Sequence, residues 1–229
     1  MQRERTVKKL EEIEAAKILP AERISADLGA LGIPLPLASA KHVQEYITLL
    51  LRWNVKIGLT SIVEPQEILT RHFAESLFGA QAAGICRGEL LDIGSGAGFP
   101  ALPIALLFRE VHETLLEPNL KKAAFLAEAC RTLELVGRVR IVKVRLEEFK
   151  GNRGSFDFIT CRAVRVNEKF MSDAGRFLQT HGRFVLWLGQ EGLEVLGESS
   201  EWDWSNPVQI PGSERRFVVW GSKRENRST

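Results

Sequence analysis

The chain has 229 residues, of which 45% are hydrophobic and 26% are charged, and its formal net charge is +2. This composition is typical of an ordinary soluble protein and excludes collagen-like, disordered and miniature disulfide-stabilised chains. The length exceeds the common domain size of ~100–150 residues, so we expect one large domain with a small addition.

Residues 1–20 carry charges where a secretory signal needs an apolar core, so we treat them as an N-terminal extension of a cytoplasmic protein. The longest apolar run, Ala101 to Phe108, contains a proline and falls far short of the ~20 residues that span a bilayer. Cys86, Cys130 and Cys161 are odd in number and widely separated. We therefore expect three buried thiols, no disulfide framework and no metal site.

Residues 21–87 have the pattern of a helical region. Val43, Tyr46, Ile47 and Leu50 recur at spacings of three and four, which predicts a helix ending near Asn54. A second helix is predicted to begin at Pro65, because proline suits the first turn, and to continue through residue 77.

From residue 88 to 229, short apolar segments alternate with helical patterns. This alternation predicts a doubly wound, mostly parallel α/β sheet. Strands are predicted at 89–94, 112–117, 138–144, 156–161, 183–188, 207–210 and 216–220, and helices at 101–108, 119–135 and 167–179. Only Pro211 to Arg215 separate the last two strands, so these should form a C-terminal antiparallel hairpin.

A glycine-rich loop, Asp92 to Pro100, follows the first predicted strand and contains Gly94, Gly96 and Gly98. Glycine allows a sharp turn and a close approach of the backbone to a ligand. The spacing fits neither the G-x-G-x-x-G dinucleotide motif nor the phosphate-binding loop. The pattern D-x-G-x-G-x-G resembles the cofactor loop of class I S-adenosylmethionine-dependent methyltransferases. Glu117 ends the second strand, where a carboxylate can accept hydrogen bonds from both ribose hydroxyls of an adenosine.

Several longer segments make this resemblance more specific. They are Leu51 to Asn54, Leu59-Thr60, Arg71 to Ser76, Asp92 to Pro103, Arg145 to Phe149, Cys161 to Ala163 and Glu214 to Val219. Together they resemble the ribosomal RNA small-subunit methyltransferase G family, also called glucose-inhibited division protein B, over roughly residues 27–220. The chain departs from the family pattern at Leu188, where a lysine is common.

The resemblance implies that residues 88–229 form the methyltransferase domain of an enzyme that methylates N7 of a guanine in 16S ribosomal RNA. S-adenosylmethionine would be the cofactor, and no general base is required because N7 carries no proton. The implied cofactor contacts are Gly94, Gly96, Gly98, Phe99, Glu117, Leu146, Glu147 and Arg162. For Arg162, which follows the fourth strand, an ion pair with a carboxylate such as Glu75 is an alternative.

Basic residues are concentrated in one part of the chain, since residues 121–169 contain twelve lysines and arginines and six acids, 12 − 6 = +6. Such an excess attracts phosphate, although a solvated surface explains it equally well. The expected partner is 16S ribosomal RNA in a small-subunit particle, bound by a monomer. The candidate RNA contacts are Arg52, Arg71, His72, Arg138, Arg140 and Arg165. His72 has a helix-packing role as its alternative.

Two other functions fit the sequence. One is a class I methyltransferase that acts on a small molecule or a protein, and the other is a non-catalytic RNA-binding module that has kept the fold. The intact glycine loop and Glu117 disfavour the second, because a binding module needs no cofactor pocket.

Overall fold

The computed structural model describes residues 19–164, 166–196 and 201–224. The predicted N-terminal extension lies outside these residues except for its last two. Division of the remaining chain near residue 88 stays a prediction, although helices precede that point and the first strand begins beside it.

The helical region consists of α1 (Ala21–Ala30), α2 (Leu37–Ile57), α3 (Pro65–Ile68), a π-helical turn (Leu69–Ala74) and α4 (Glu75–Ala82). Helix α2 buries the predicted apolar stripe, including Val43, Tyr46 and Leu50. It continues one turn beyond the predicted end and ends at Gly58, whose φ of 62° is the left-handed conformation that glycine adopts without strain. Pro65 occupies the first turn of α3, as predicted.

The α/β region begins with β1 (Arg87–Ile93), α5 (Ala101–Leu107), β2 (Glu110–Leu116), α6 (Leu120–Thr132) and β3 (Val139–Val142). A short 3₁₀ turn (Leu146–Glu148), β4 (Phe156–Arg162), α7 (Glu168–Gly175) and β5 (Leu178–Gly189) follow. The last elements are α8 (Gln190–Leu196), β6 (Trp202–Trp204), β7 (Val208–Gln209) and β8 (Arg216–Lys223).

The strands form one sheet in the order β3-β2-β1-β4-β5-β8-β6, with β7 also paired to β8. Strands β1 to β5 are parallel, and β8 is antiparallel to β5, β6 and β7. The predicted fold class and the C-terminal hairpin are confirmed. The order of the first strands reverses between β1 and β4, which is where doubly wound sheets bind ligands.

Three details differ from the sequence prediction. The helix predicted at 167–179 ends at Gly175. Strand β5 is twelve residues long and begins at Leu178, so it includes residues that were predicted to be helical. Helix α8 and strand β6 were not predicted. Strand β6 is only three residues long, too short for an alternating pattern to be recognised.

Two hydrophobic clusters join the helical region to the sheet, and one of them also reaches the glycine loop. Tyr46 and Phe73 from the helices pack in that cluster with Phe99, Leu115 and Phe125 from the α/β region. Cys130 and Cys161 are buried as predicted, but Cys86 is exposed in the turn before β1, so the prediction of three buried thiols is wrong. Among the described residues, no helix is long and apolar enough to cross a membrane.

Candidate active site

The carboxyl ends of the parallel strands meet at one edge of the sheet. Ile93, the last residue of β1, pairs with Leu116 of β2 and Cys161 of β4, and Leu116 in turn pairs with Val142 of β3. The segments that follow these strands therefore emerge side by side. This register brings together four segments that are far apart in sequence: the glycine loop, Glu117, the 3₁₀ turn after β3, and Arg162.

The glycine loop turns sharply at this edge. Its first two amides, those of Gly94 and Ser95, donate to the Leu116 carbonyl at 3.0 and 3.1 Å, so the loop is anchored to β2. Gly94, Gly96 and Gly98 all have positive φ. A Cβ on Gly94 would lie 2.7 Å from the Val164 side chain, whereas a Cβ on Gly96 would enter space that no side chain fills. The loop therefore has the close turn and the open face that ligand binding requires.

Glu117 anchors the glycine loop through a hydrogen bond. Its Oε2 accepts a 2.8 Å hydrogen bond from the Gly96 amide, and its Oε1 accepts one of 2.8 Å from the Asn119 amide. Asn119 caps α6 by accepting hydrogen bonds from two lysine amides in the first turn, so the helix begins directly after the carboxylate. A carboxylate has about four acceptor sites, and two of those of Glu117 are used here. The two remaining sites suit a pair of ribose hydroxyls.

A second carboxylate, that of Asp92, lies beneath the loop at the end of β1. Its Oδ1 accepts a 2.7 Å hydrogen bond from the Thr160 hydroxyl, and its Oδ2 is buried without a partner among the described residues. Burial raises the pKa of Asp92 to about 6, with Ser95 and Thr160 opposing the rise and the nearby Glu117 charge adding to it. At neutral pH the loop therefore lies over negative charge, which suits a cationic ligand.

A cavity of about 310 Å³ opens beside the glycine loop. Ile93, Gly94 and Leu116 form its sheet side, and Leu146 and Glu147 of the 3₁₀ turn form another wall. Leu146 is buried whereas Glu147 is exposed, so the wall combines an apolar surface with a polar rim. The size and lining fit a small-molecule site of the adenosine class. Three of the predicted cofactor contacts, Gly94, Leu146 and Glu147, line this cavity.

The far side of the glycine loop packs against the helical region. Phe99 is 8% exposed, and its ring stacks on His72 with a centroid distance of 4.6 Å. Tyr46 and Phe73 contact the same ring edge-on at 5.5 and 5.4 Å. The Tyr46 hydroxyl donates a hydrogen bond to the Ala97 carbonyl within the loop. Phe99 is therefore a packed support of the loop, and direct contact between it and a cofactor stays a prediction.

His72 is held in one orientation by the segment that follows α2. Its Nε2 lies 2.9 Å from the Thr60 hydroxyl, and the Asn54 side chain fixes this segment by accepting hydrogen bonds from the Leu59 and Thr60 amides at 2.6 and 2.9 Å. Burial lowers the pKa of His72 to about 4, and the charges of Arg162 and Arg71 add to the effect. The imidazole is therefore neutral at physiological pH. Its role as a substrate contact stays a prediction.

Arg162 forms the ion pair that was its alternative role. Its Nη2 lies 2.9 Å from Glu75 Oε2, and the guanidinium also donates to the Arg71 carbonyl at 2.6 Å and to the Ser76 hydroxyl at 3.3 Å. The other Glu75 oxygen, Oε1, pairs with Arg216 at 2.8 Å. Burial raises the pKa of Glu75, and the two guanidinium groups oppose this rise. Arg162 thus attaches β4 to the π-helical turn that contains His72. Its direct contact with a cofactor stays a prediction.

The proposed RNA contacts differ in their surroundings. The Arg138 guanidinium donates to the carbonyls of Ala105, Phe108 and Val111 at 2.9–3.4 Å, so it closes the end of α5, and its contact with phosphate stays a prediction. Arg52 and Arg140 are exposed, and Arg140 lies on β3. Arg71 pairs with Glu67 at 2.7 Å beside His72. Arg165 lies outside the described residues.

Sequence reasoning missed two residues that shape the site. Tyr46 was predicted only as part of an apolar stripe, because nothing local indicates that its hydroxyl reaches a loop 51 residues away. Arg216 lies within the segment from Glu214 to Val219, for which no individual residue role was predicted. The sequence signal for Tyr46 is an aromatic residue within the apolar stripe. The signal for Arg216 is its place in the segment that resembles the family.

Solved structures share this architecture. A SAM-dependent methyltransferase from Aquifex aeolicus superposes with a TM-score of 0.59 at 14% identity, covering 70% of this chain and 94% of that one. A putative S-adenosyl-L-methionine-dependent methyltransferase from Methanococcus maripaludis gives a TM-score of 0.58 at 17% identity, covering 71% and 92%. The fold is therefore that of class I S-adenosylmethionine-dependent methyltransferases.

Sequence comparison is more specific. The family model described as rRNA small subunit methyltransferase G matches residues 39–209. Proteins named ribosomal RNA small subunit methyltransferase G are 35% identical over 178 residues in Caldanaerobacter subterraneus, covering 76% of this chain and 74% of that protein, and 32% identical over 209 residues in Xanthomonas axonopodis, covering 89% and 97%. The chain belongs to the rRNA small subunit methyltransferase G family.

Proposed function

We propose that the protein transfers a methyl group from S-adenosylmethionine to N7 of a guanine in 16S ribosomal RNA. The proposal rests on one arrangement in a chain of this family: the glycine loop is hydrogen-bonded to Glu117 and lies beside a cavity at the carboxyl edge of the sheet. Substrate RNA in a small-subunit particle, a monomeric enzyme and a cytoplasmic location complete the proposal.

The cofactor would be held by the loop glycines Gly94, Gly96 and Gly98, by Glu117 and by the 3₁₀ turn. When bound, S-adenosylmethionine supplies the methyl group on an electrophilic sulfonium. The two free acceptor sites of Glu117 match the ribose hydroxyls, and Leu146 offers an apolar surface to the adenine. The buried charge of Asp92 beneath the loop favours a cationic ligand over an anionic one.

Guanine N7 has an in-plane lone pair and no proton, so its methylation needs no general base. The protein's contribution is to position the guanine and the methyl group, and such positioning lowers the activation barrier by up to ~7–11 kcal/mol in favourable reactions. His72 suits this role because it is neutral and immobilised between Thr60 and Phe99. Arg162 and Glu75 keep the π-helical turn that carries His72 against the sheet.

The target base would have to leave its stack to reach a pocket at the sheet edge. Exposed basic side chains near this edge would hold the flanking backbone by contacts with phosphates. Arg71 lies directly beside His72, and Lys169 and Arg145 line the cavity next to the glycine loop. These three side chains are better placed for that task than Arg138.

The decisive experiment maps N7-methylguanine in 16S ribosomal RNA after incubation with S-adenosylmethionine and the protein. We expect modification at one guanine with the wild-type protein and none with Gly96→Val, whose side chain would fill the open face of the loop. Gly137→Val is the matched control, because Gly137 also has a positive φ, of 95°, and open space around its Cβ but lies before β3. Modification of a different atom, or activity only on small molecules, would contradict the proposal.

A further inference from the structure

A second cavity lies between the π-helical turn and the β7–β8 hairpin, and we call it the hairpin cleft. Its volume is about 300 Å³. Ile33, Ala74, Phe78 and Ile210 form its apolar walls, and Arg71 and Arg216 supply positive charge. The volume reaches the range of small-molecule sites, and the combination of apolar walls with a few charged groups is what such sites have.

The charged groups of the hairpin cleft are not balanced. Two guanidinium groups, those of Arg71 and Arg216, line the cleft with one carboxylate, that of Glu75. Glu75 is also shared with Arg162, which lies outside the lining, and Arg71 pairs with Glu67. The Arg216 Nε is buried and has no hydrogen-bond partner among the described residues. The Arg216 side chain as a whole is accessible, at 33% exposed, and a planar guanidinium recognises phosphate well. The cleft therefore favours an anion that also carries an apolar face.

The hairpin cleft opens at the same edge of the sheet as the cofactor cavity. Arg216 begins β8 and pairs with Gly189, the last residue of β5, so it lies at the carboxyl end of the parallel strands. Arg71 lines the cleft, and the next residue, His72, stacks on Phe99 of the glycine loop. The π-helical turn thus lines the hairpin cleft and packs against the glycine loop, whose Gly94 lines the other cavity.

We propose that the hairpin cleft binds a nucleotide of the substrate RNA that flanks the target guanine, which rests on the proposed function. The base of this nucleotide would pack on Phe78 and Pro211, which line the cleft and are half-buried and exposed respectively, since any base has an apolar face that suits such a surface. Its phosphate would accept hydrogen bonds from Arg216 and Arg71. The cleft would thereby fix the RNA strand on one side of the π-helical turn while the target base enters on the other.

The test changes the charge at the mouth of the cleft. Leu31 lines the cleft and is 45% exposed, whereas Leu37 is 44% exposed and does not line it. We expect Leu31→Glu to raise the KM for 16S ribosomal RNA by about tenfold, the effect of losing one phosphate contact of ~1.4 kcal/mol. Leu37→Glu should leave the KM unchanged. Neither variant should alter the affinity for S-adenosylmethionine, measured by calorimetry, or the melting temperature by more than a few degrees.

Leu31→Arg tests the sign of the effect. If phosphate binds in the cleft, this variant should lower the KM for the RNA, and the dependence of affinity on salt should steepen. A rise in KM with both Leu31→Glu and Leu31→Arg would mean that the leucine is needed only for packing, and would overturn the inference. Equal KM values for Leu31→Glu and Leu37→Glu would overturn it as well.

Titration with AMP and GMP distinguishes a strand-borne nucleotide from a free one. We expect no micromolar binding of these mononucleotides to the hairpin cleft. Micromolar binding that Leu31→Glu abolishes, with an unchanged KM for RNA, would assign the cleft to a free nucleotide and overturn the inference. Failure of the proposed function would appear differently, as a wild-type protein that methylates no ribosomal RNA.

Discussion

At the scale of single residues, Glu117 has two tasks that are both set by its position after β2. It accepts hydrogen bonds from the Gly96 and Asn119 amides, and so it ties the glycine loop to the start of α6. The proposed function assigns its two remaining acceptor sites to the ribose hydroxyls of the cofactor. The carboxylate therefore links the shape of the loop to the binding of the cofactor.

Replacing Glu117 by alanine should weaken S-adenosylmethionine binding by about 1.5–3 kcal/mol, which is more than tenfold in Kd, because charge-assisted hydrogen bonds are lost. Isothermal titration calorimetry measures the change. Glu110→Ala is the control, since Glu110 is exposed at the opposite end of the same strand. A normal Kd for a folded Glu117→Ala variant would remove Glu117 from the site.

The neutral state of His72 leads to a kinetic prediction. Because its pKa is lowered to about 4, it does not change charge near neutrality, and N7 methylation itself releases no proton from the base. The rate of methyl transfer at saturating substrates should therefore be nearly flat from about pH 6.5 to 9. A rate that rises tenfold per pH unit, measured in single-turnover assays, would exclude guanine N7 as the acceptor.

The contacts of individual side chains were the feature that the sequence predicted least well. Arg138 was predicted as a phosphate contact from the basic stretch, whereas Arg162 was predicted as a cofactor contact from the family resemblance, with an ion pair to Glu75 as its alternative. The structure uses Arg138 to close a helix and Arg162 to pair with the buried Glu75. An arginine side chain reaches several ångströms from its backbone, so its partner depends on the tertiary fold and not on neighbouring residues in the sequence.

At the scale of elements, the glycine loop depends on α2 as much as on β1. The Tyr46 ring packs against Phe73 and Phe99, and its hydroxyl donates to the Ala97 carbonyl. The apolar spacing predicted α2 well, because a buried stripe imposes its period on the sequence. The π-helical turn after Ile68 carries no such signal, since it needs one additional residue per turn and not a distinct composition.

Tyr46→Phe removes the hydroxyl and keeps the ring, so it tests whether α2 shapes the cofactor loop. The variant leaves the Ala97 carbonyl without its partner, and we expect a loss of about 1 kcal/mol in S-adenosylmethionine affinity, roughly fivefold in Kd. Thr48→Ala is the control, because it removes a hydroxyl that bonds within α2 to the Gln44 carbonyl. Equal affinities of the two variants, measured by calorimetry, would show that α2 supports the loop by packing alone.

At the scale of the whole molecule, the doubly wound, mostly parallel sheet was predictable because alternating strands and helices leave few topologies. What the sequence could not indicate is which polar groups the assembled layers would bury. Glu113 is an example, since the residue is 2% exposed and both of its carboxylate oxygens are buried without a hydrogen-bond partner among the described residues. Burial raises the pKa of Glu113 well above its usual value.

This buried group predicts how stability depends on pH. Folded Glu113 keeps its proton at a pH where the unfolded chain has lost it, so the folded state binds more protons and the free energy of unfolding falls as pH rises above the unfolded pKa. One such group contributes at most ~1.4 kcal/mol per pH unit. Asp92, with a pKa raised to about 6, acts in the same direction below that pH, whereas the lowered pKa of His72 acts in the opposite direction between about 4 and 6.5.

The window from about pH 7.5 to 8 isolates Glu113, because Asp92 has titrated below it and His72, whose ordinary pKa is 6.5, has lost its proton in the unfolded chain as well. Urea unfolding of the wild-type protein should give a free energy that falls across this window. In Glu113→Gln, which has nearly the same shape and no ionisable group, the fall should be smaller and the protein more stable at pH 8. Glu110→Gln, an exposed change on the same strand, should leave the wild-type slope intact. Parallel slopes for wild type and Glu113→Gln would mean that Glu113 ionises within the fold, with the nearby Arg138 charge compensating it.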